Sequence, residues 1–146
     1  MNRKKILLMS DDIRMHSGVA TQAKEIVLGT LDKYDWVQIG GAIKHPDAGK
    51  RIIVKSDDSY KLPRDESIII YPVNGYGDPH VLRSVIAAEK PDAILHFTDP
   101  RFWVWLYNME HEIRQNIPII YYNRILEYVV LPHVPFDKTK PKILGL

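Results

Sequence analysis

Between Lys5 and Tyr122, short apolar runs alternate with segments of helical period, and this alternation leaves few folds open. Lys5 to Ser10 (KILLMS) is apolar without a two-residue alternation, the pattern of a strand buried on both faces. The period then changes. Val19, Ala23, Ile26, Val27 and Leu31 share one helical face, with Gln22, Lys24 and Glu25 opposite. Ser17 stands where a hydroxyl caps the first free backbone N–H of that helix. Tyr34 to Ile39 forms a second strand candidate ending at Gly40-Gly41, and Arg51 to Lys55 a third, followed by the turn-forming Asp57-Asp58-Ser59. Ser67 to Val73 (SIIIYPV) is strongly β-branched and reads as a central strand. Its Pro72 is tolerable only where no ladder hydrogen bond is needed.

Two helices then begin with the same punctuation. Asp78-Pro79 and Asp99-Pro100 each set a capping carboxylate before a proline at the first helical position. The first helix is expected to bury Val81, Leu82, Val85 and Ile86. The second is expected to bury Phe102, Trp105, Leu106, Met109 and Ile113; core packing is the default for its rings, with Trp103 and Tyr107 the two that could reach a surface. Ala93 to Thr98 (AILHFT) is a strand between them, and Ile117 to Tyr122 (IPIIYY) the last. Strands alternating with helices imply parallel pairing and right-handed crossovers. The expectation is an α/β fold, a Rossmann-like three-layer α/β/α domain with a mainly parallel sheet over residues 1–123. Residues 124–146, with Pro132, Pro135, Pro141 and three lysines, read as an extended C-terminal tail.

Composition narrows the function classes. Twenty basic against eighteen acidic residues are mixed along the chain, without the basic stripe of a nucleic-acid binder. Lys44 to Arg64 interleaves both signs and reads as a solvated hairpin region. There is no cysteine, which excludes disulfides, thiolate metal sites and cysteine nucleophiles. Ile6 to Met9 is too short for a signal-peptide core or a membrane span, so a cytoplasmic location is expected. His111-Glu112 lacks the second histidine of a zinc-protease motif, and no metal is expected.

In open parallel sheets, ligands bind beyond the carboxyl ends of the strands, where the strand order reverses. If the first strand neighbours the 93–98 strand, two loops meet there. One carries Asp11, Asp12, Arg14, His16, Ser17 and Gly18; the other carries His96, Thr98, Asp99 and Arg101. Asn74-Gly75-Tyr76-Gly77 and Asn123 end adjacent strands. Gly18 either admits a phosphate to the helix N-terminus or only eases the loop into the helix. Neither a dinucleotide fingerprint nor a P-loop is present. His96 is either a hydrogen-bonded core residue or a ligand-facing one. Tyr76, between two glycines, is either a turn residue or a platform for a sugar ring.

The opening KILLMSDDIRMHSGVATQAKEIVLGTL resembles the start of family 4 glycosyltransferases, retaining enzymes of the GT-B fold, and EKPDAILHFTDPRFW resembles the strand ending at their acceptor cleft. The likeness covers about Lys4 to Asn123. It implies a GT-B N-terminal-half type of fold and an acceptor-side domain of an enzyme moving a sugar from a nucleotide-sugar donor. His16, Ser17, Gly18, Tyr76 and Thr98 would then line the donor and acceptor cleft, with His96 and Asp99 as catalytic candidates and no cofactor beyond the donor itself. The family often has two glycines where this chain has Ser17-Gly18. Its C-terminal domain, with the nucleotide-sugar site and paired glutamates, has no counterpart here. The resemblance therefore implies an incomplete enzyme, paired with such a domain on another chain or with itself.

Two alternatives belong to other classes. One is a non-catalytic binding or assembly domain. The other is a receiver-like signalling module, suggested by KILLMSDD. Against the second, the 67–73 strand ends without a phosphorylatable aspartate, and Asn123 stands where a receiver has lysine.

Overall fold

A computed structural model of the protein describes residues 3–56, 62 and 66–122. Asn123 and the expected tail, 124–146, lie outside the described residues. The elements follow as β1 (Lys4–Asp11), α1 (Gly18–Gly29), β2 (Tyr34–Gly41), β3 (Ile52–Lys55), β4 (Ser67–Pro72), α2 (Pro79–Glu89), β5 (Ala93–Phe97), a 3₁₀ turn (Pro100–Phe102), α3 (Val104–Arg114) and β6 (Ile119–Tyr121).

Six strands form one sheet in the order β3-β4-β2-β1-β5-β6. All neighbours pair in parallel except β3, which lies antiparallel to β4 and closes one edge. Without β3, the order is that of a doubly wound sheet, compatible with a Rossmann-like fold. β1 is flanked by β2 and β5, so the order reverses between β1 and β5. The expected adjacency of the 5–10 and 93–98 strands is therefore observed, with Ser10 opposite Phe97. No helix among the described residues is long and apolar enough to cross a membrane.

The two faces of the sheet build separate cores. α1 packs Ala23 and Val27 against Leu8, Trp36, Ile68, Ile70 and Phe97. α2 and α3 pack Leu82, Val85, Leu106, Met109 and Ile113 against Leu7, Met9, Val37, Ile39 and Ile94. Caps behave as the sequence suggests at two helices: Ser17 Oγ accepts from the Ala20 N–H at 3.0 Å, and Asp78 Oδ1 from the Val81 N–H at 3.0 Å.

The third start differs. Asp99 caps only the 3₁₀ turn, accepting from the Arg101 N–H at 3.0 Å, and α3 begins after Trp103 without a side-chain cap. A 3₁₀ turn advances three residues per turn instead of 3.6, so the helical phase counted from Asp99 fails over its first residues. Phe102, expected in the core, is 51% exposed, and Trp103, one of the two rings that could have reached a surface, takes the default core position and is fully buried.

Candidate functional site

The carboxyl ends of β1 and β5 meet in a crevice whose centre is Asp11. Thr98, just past β5, donates its hydroxyl to Asp11 Oδ1 at 3.3 Å, and Ser17, the cap of α1, donates to Oδ2 at 3.3 Å. One carboxylate thus joins the two loops that the sheet topology brings side by side. Burial raises the Asp11 pKa above the ordinary carboxylate value; the two hydroxyls oppose that shift and the charge of Asp99 adds to it.

The loop between β1 and α1 is held by directional bonds. Gln38, buried in β2, donates its amide to Ser10 Oγ at 2.7 Å and to the Asp11 carbonyl at 2.8 Å, and accepts from the Ile13 N–H at 3.2 Å. Asp12 is fully buried and accepts from the Arg14 guanidinium at 2.9 and 2.7 Å. The loop lies so close to β2 that a Cβ at Gly40 would fall 2.7 Å from Asp12 Oδ2.

The opposite wall is built from rings. Tyr76 stacks on Phe102 with centroids 4.8 Å apart and planes within 8°, and meets Trp103 edge-on at 5.6 Å. Gly41 admits the Tyr76 loop: a Cβ there would lie 3.0 Å from the Gly75 carbonyl and 3.1 Å from the Tyr76 ring. The Tyr76 pKa is raised, first by burial and then by the negative charges of Asp11 and Asp99. Asp99 is held ionised, its pKa lowered chiefly by hydrogen bonds from the Arg101 side chain. Two carboxyl groups in one crevice are therefore tuned in opposite directions.

Of the residues singled out in the sequence, Ser17, Thr98, Asp99 and Tyr76 come together around Asp11. His16 on the first loop and Gly18 at the start of α1 are exposed, and a Cβ at Gly18 would meet nothing within 4 Å. His96 lies elsewhere. It is fully buried on the α2 and α3 face, with the rings of Trp103, Tyr107 and Tyr121 at 5.1, 5.9 and 5.5 Å. Neither ring nitrogen has a hydrogen-bond partner among the described residues, and burial lowers its pKa to about 3, so the imidazole is neutral. It is a core residue, but not the hydrogen-bonded one that such a reading implies.

Three participants were not among the cleft-lining or catalytic candidates, although Asp11 was named on the first crevice loop. Asp11 carried a signal, an acid closing the first strand. Gln38 carried a weaker one, a lone amide in an apolar strand. Phe102 carried none, because its exposure depends on the 3₁₀ turn. No group of three or more metal-ligating side chains forms among the described residues. Compared with protein-family models, curated proteins and solved structures, the chain matches none.

Proposed function

We propose that this chain is the acceptor-side half of a sugar transferase of the GT-B type, similar to family 4, working with a nucleotide-sugar donor and an acceptor of unassigned identity. The observation that carries the reading is the joining of Asp11, Ser17 and Thr98 beside the Tyr76–Phe102 stack, at the reversal of strand order. A half-exposed aromatic face suits the apolar side of a sugar ring, and neighbouring carboxylates suit its hydroxyl groups. Asp11, with its raised pKa, is the group placed to take a proton from an acceptor hydroxyl. His96, a catalytic candidate from sequence, has no exposed atom through which to touch a substrate; in this reading it supports the wall behind Trp103.

Sugar transfer depends on holding donor and acceptor in one geometry and on offsetting charge at the leaving phosphate. In this reading the second half supplies most of the donor contacts. The chain by itself then transfers no sugar at a useful rate while still binding saccharides. NMR titration of the full chain with simple saccharides should perturb Asp11, Tyr76, Thr98 and Phe102, and Phe102→Ala should weaken binding about tenfold. If no saccharide perturbs these residues at millimolar concentration, the reading falls. Rapid, donor-specific transfer by the purified monomer would instead show a complete enzyme.

A further inference from the structure

Beside the Asp11 crevice, the loops after β2 and β4 enclose an open pocket of about 480 Å³, lined by Lys44, His45, Pro46, Asn74 and Gly75. Its volume lies in the range of small-molecule sites. Its chemistry is opposite to that of the crevice. The lining contains no carboxylate. Around it, the other cations of this edge are already neutralised: Arg14 by Asp12, Lys50 by Asp47 and Arg101 by Asp99. Lys44 is exposed and has no carboxylate partner among the described residues.

Apart from Pro46, which has no N–H, the remaining lining residues carry donors too. His45 Nδ1 accepts from the Asp47 N–H at 3.1 Å, which leaves the proton of a neutral ring on Nε2. Asn74 offers a side-chain amide. The backbone N–H groups of Asn74 and Gly75 donate to nothing among the described residues, whereas the Gly75 carbonyl is already engaged by the Ala42 N–H at 2.5 Å. Gly75 has φ +66°, a left-handed conformation that a bulkier residue would strain. An ammonium, an imidazole N–H, an amide and two open backbone N–H groups form a donor set for a compact anion; the Asp47 carboxylate, 3.9 Å from His45 Nδ1, is paired with Lys50 and is not part of the lining.

We infer that this pocket binds a phosphoryl group, carried by a ligand large enough to fill the rest of its volume. The site is independent of the transferase reading, and binds phosphate whether or not the neighbouring crevice takes a sugar. A phosphoryl group could arrive on a soluble sugar phosphate or on a lipid headgroup; the donor set is the same for both.

The test is an NMR titration of the full chain with inorganic phosphate and with a sugar phosphate, against sodium chloride at matched ionic strength. Saturable shifts are expected at Lys44, His45, Asn74 and Gly75 with the phosphates and not with chloride. Lys44→Ala and Asn74→Ala, both at exposed positions and so harmless to the fold, should each weaken phosphate binding about fivefold to tenfold. Vesicles of phosphatidylglycerol in phosphatidylcholine form the second arm. Sedimentation with them that Lys44→Ala abolishes assigns the lipid source, and tighter binding of the sugar phosphate than of inorganic phosphate assigns the soluble one. Shifts that chloride reproduces, shifts spread evenly over Lys50 and Arg101, or phosphate affinity unchanged in both variants would each overturn the assignment.

Discussion

The two walls of the crevice are held together by different physics. On the β1 side, every buried polar group described is engaged: Gln38 braces Ser10, Asp11 and Ile13, and Arg14 grips Asp12. On the β5 side, buried polar atoms of His96, Trp103, Trp105 and Tyr107 have no hydrogen-bond partner among the described residues, and ring packing holds them in position. The first wall is directional and intolerant of isosteric change. The second is non-directional: its polar atoms contribute desolvation cost without a compensating bond, so removing them relieves a penalty.

That contrast can be broken by substitution. Gln38→Leu keeps the volume but strands the Ile13 N–H and leaves the Ser10 hydroxyl and the Asp11 carbonyl only their 2.9 Å bond to each other, and should cost about 2 kcal/mol or more in urea unfolding. A cost under about 1 kcal/mol would show that the brace is dispensable.

The ring wall should respond to pH instead. The His96 pKa is lowered from 6.5 to about 3 by burial, so between those values the unfolded chain binds a proton that the folded chain does not. Stability therefore falls as pH drops below about 6.5, by about 2 kcal/mol between roughly pH 7 and pH 5. His96→Leu should remove this slope while leaving stability near neutrality unchanged or slightly improved, as read from denaturation at a series of pH values. A slope that survives the substitution would place its origin in other groups.

Tyr107→Phe removes a buried hydroxyl without a partner, and is expected to be neutral or stabilising by up to about 1 kcal/mol. A clear loss of thermal stability would reveal a bond to that hydroxyl. The smallest effect on folding is expected at Gly18→Val, where the new side chain meets open space. Stability should stay within about 0.5 kcal/mol, while saccharide binding weakens because the side chain takes open space before the α1 N-terminus that a ligand reaching Asp11 would use. An equal loss of both would make Gly18 a folding residue only.

The order of elements was legible because buried strands and amphipathic helices leave different periods. The neighbourhood of β1 and β5 was legible only as a condition of a doubly wound order, which the observed pairing fulfils. The antiparallel pairing of β3 was not fixed by its own residues, since a four-residue edge strand carries too little pattern to set direction. At Asp78-Pro79 and Asp99-Pro100, one signal gave two outcomes. A cap dictates the first turn only, and burial of the Trp103 indole decided what followed. Within the site, Ser17, Thr98 and Tyr76 were reachable from topology, whereas Phe102 was not, because its exposure depends on a single shift of helical phase. Gln38 shows another limit: on a strand buried on both faces, a side chain's role depends on what lies beyond the strand's end.

The central place of β1 also has a kinetic consequence. Its pairing with β2 joins residues 30 apart, as at Lys4 and Tyr34, whereas its pairing with β5 joins residues 87 apart, as at Ile6 and Ala93. Closing the longer loop costs about 1 kcal/mol more chain entropy, and parallel pairings of high sequence separation form slowly. A β1-α1-β2 unit can therefore assemble early, with Gln38 already bracing the first loop, and wait for β5 to arrive. The crevice comes into being at that last docking step, so a substitution that slows the approach of β5 delays the appearance of the site without loosening the half that folded first.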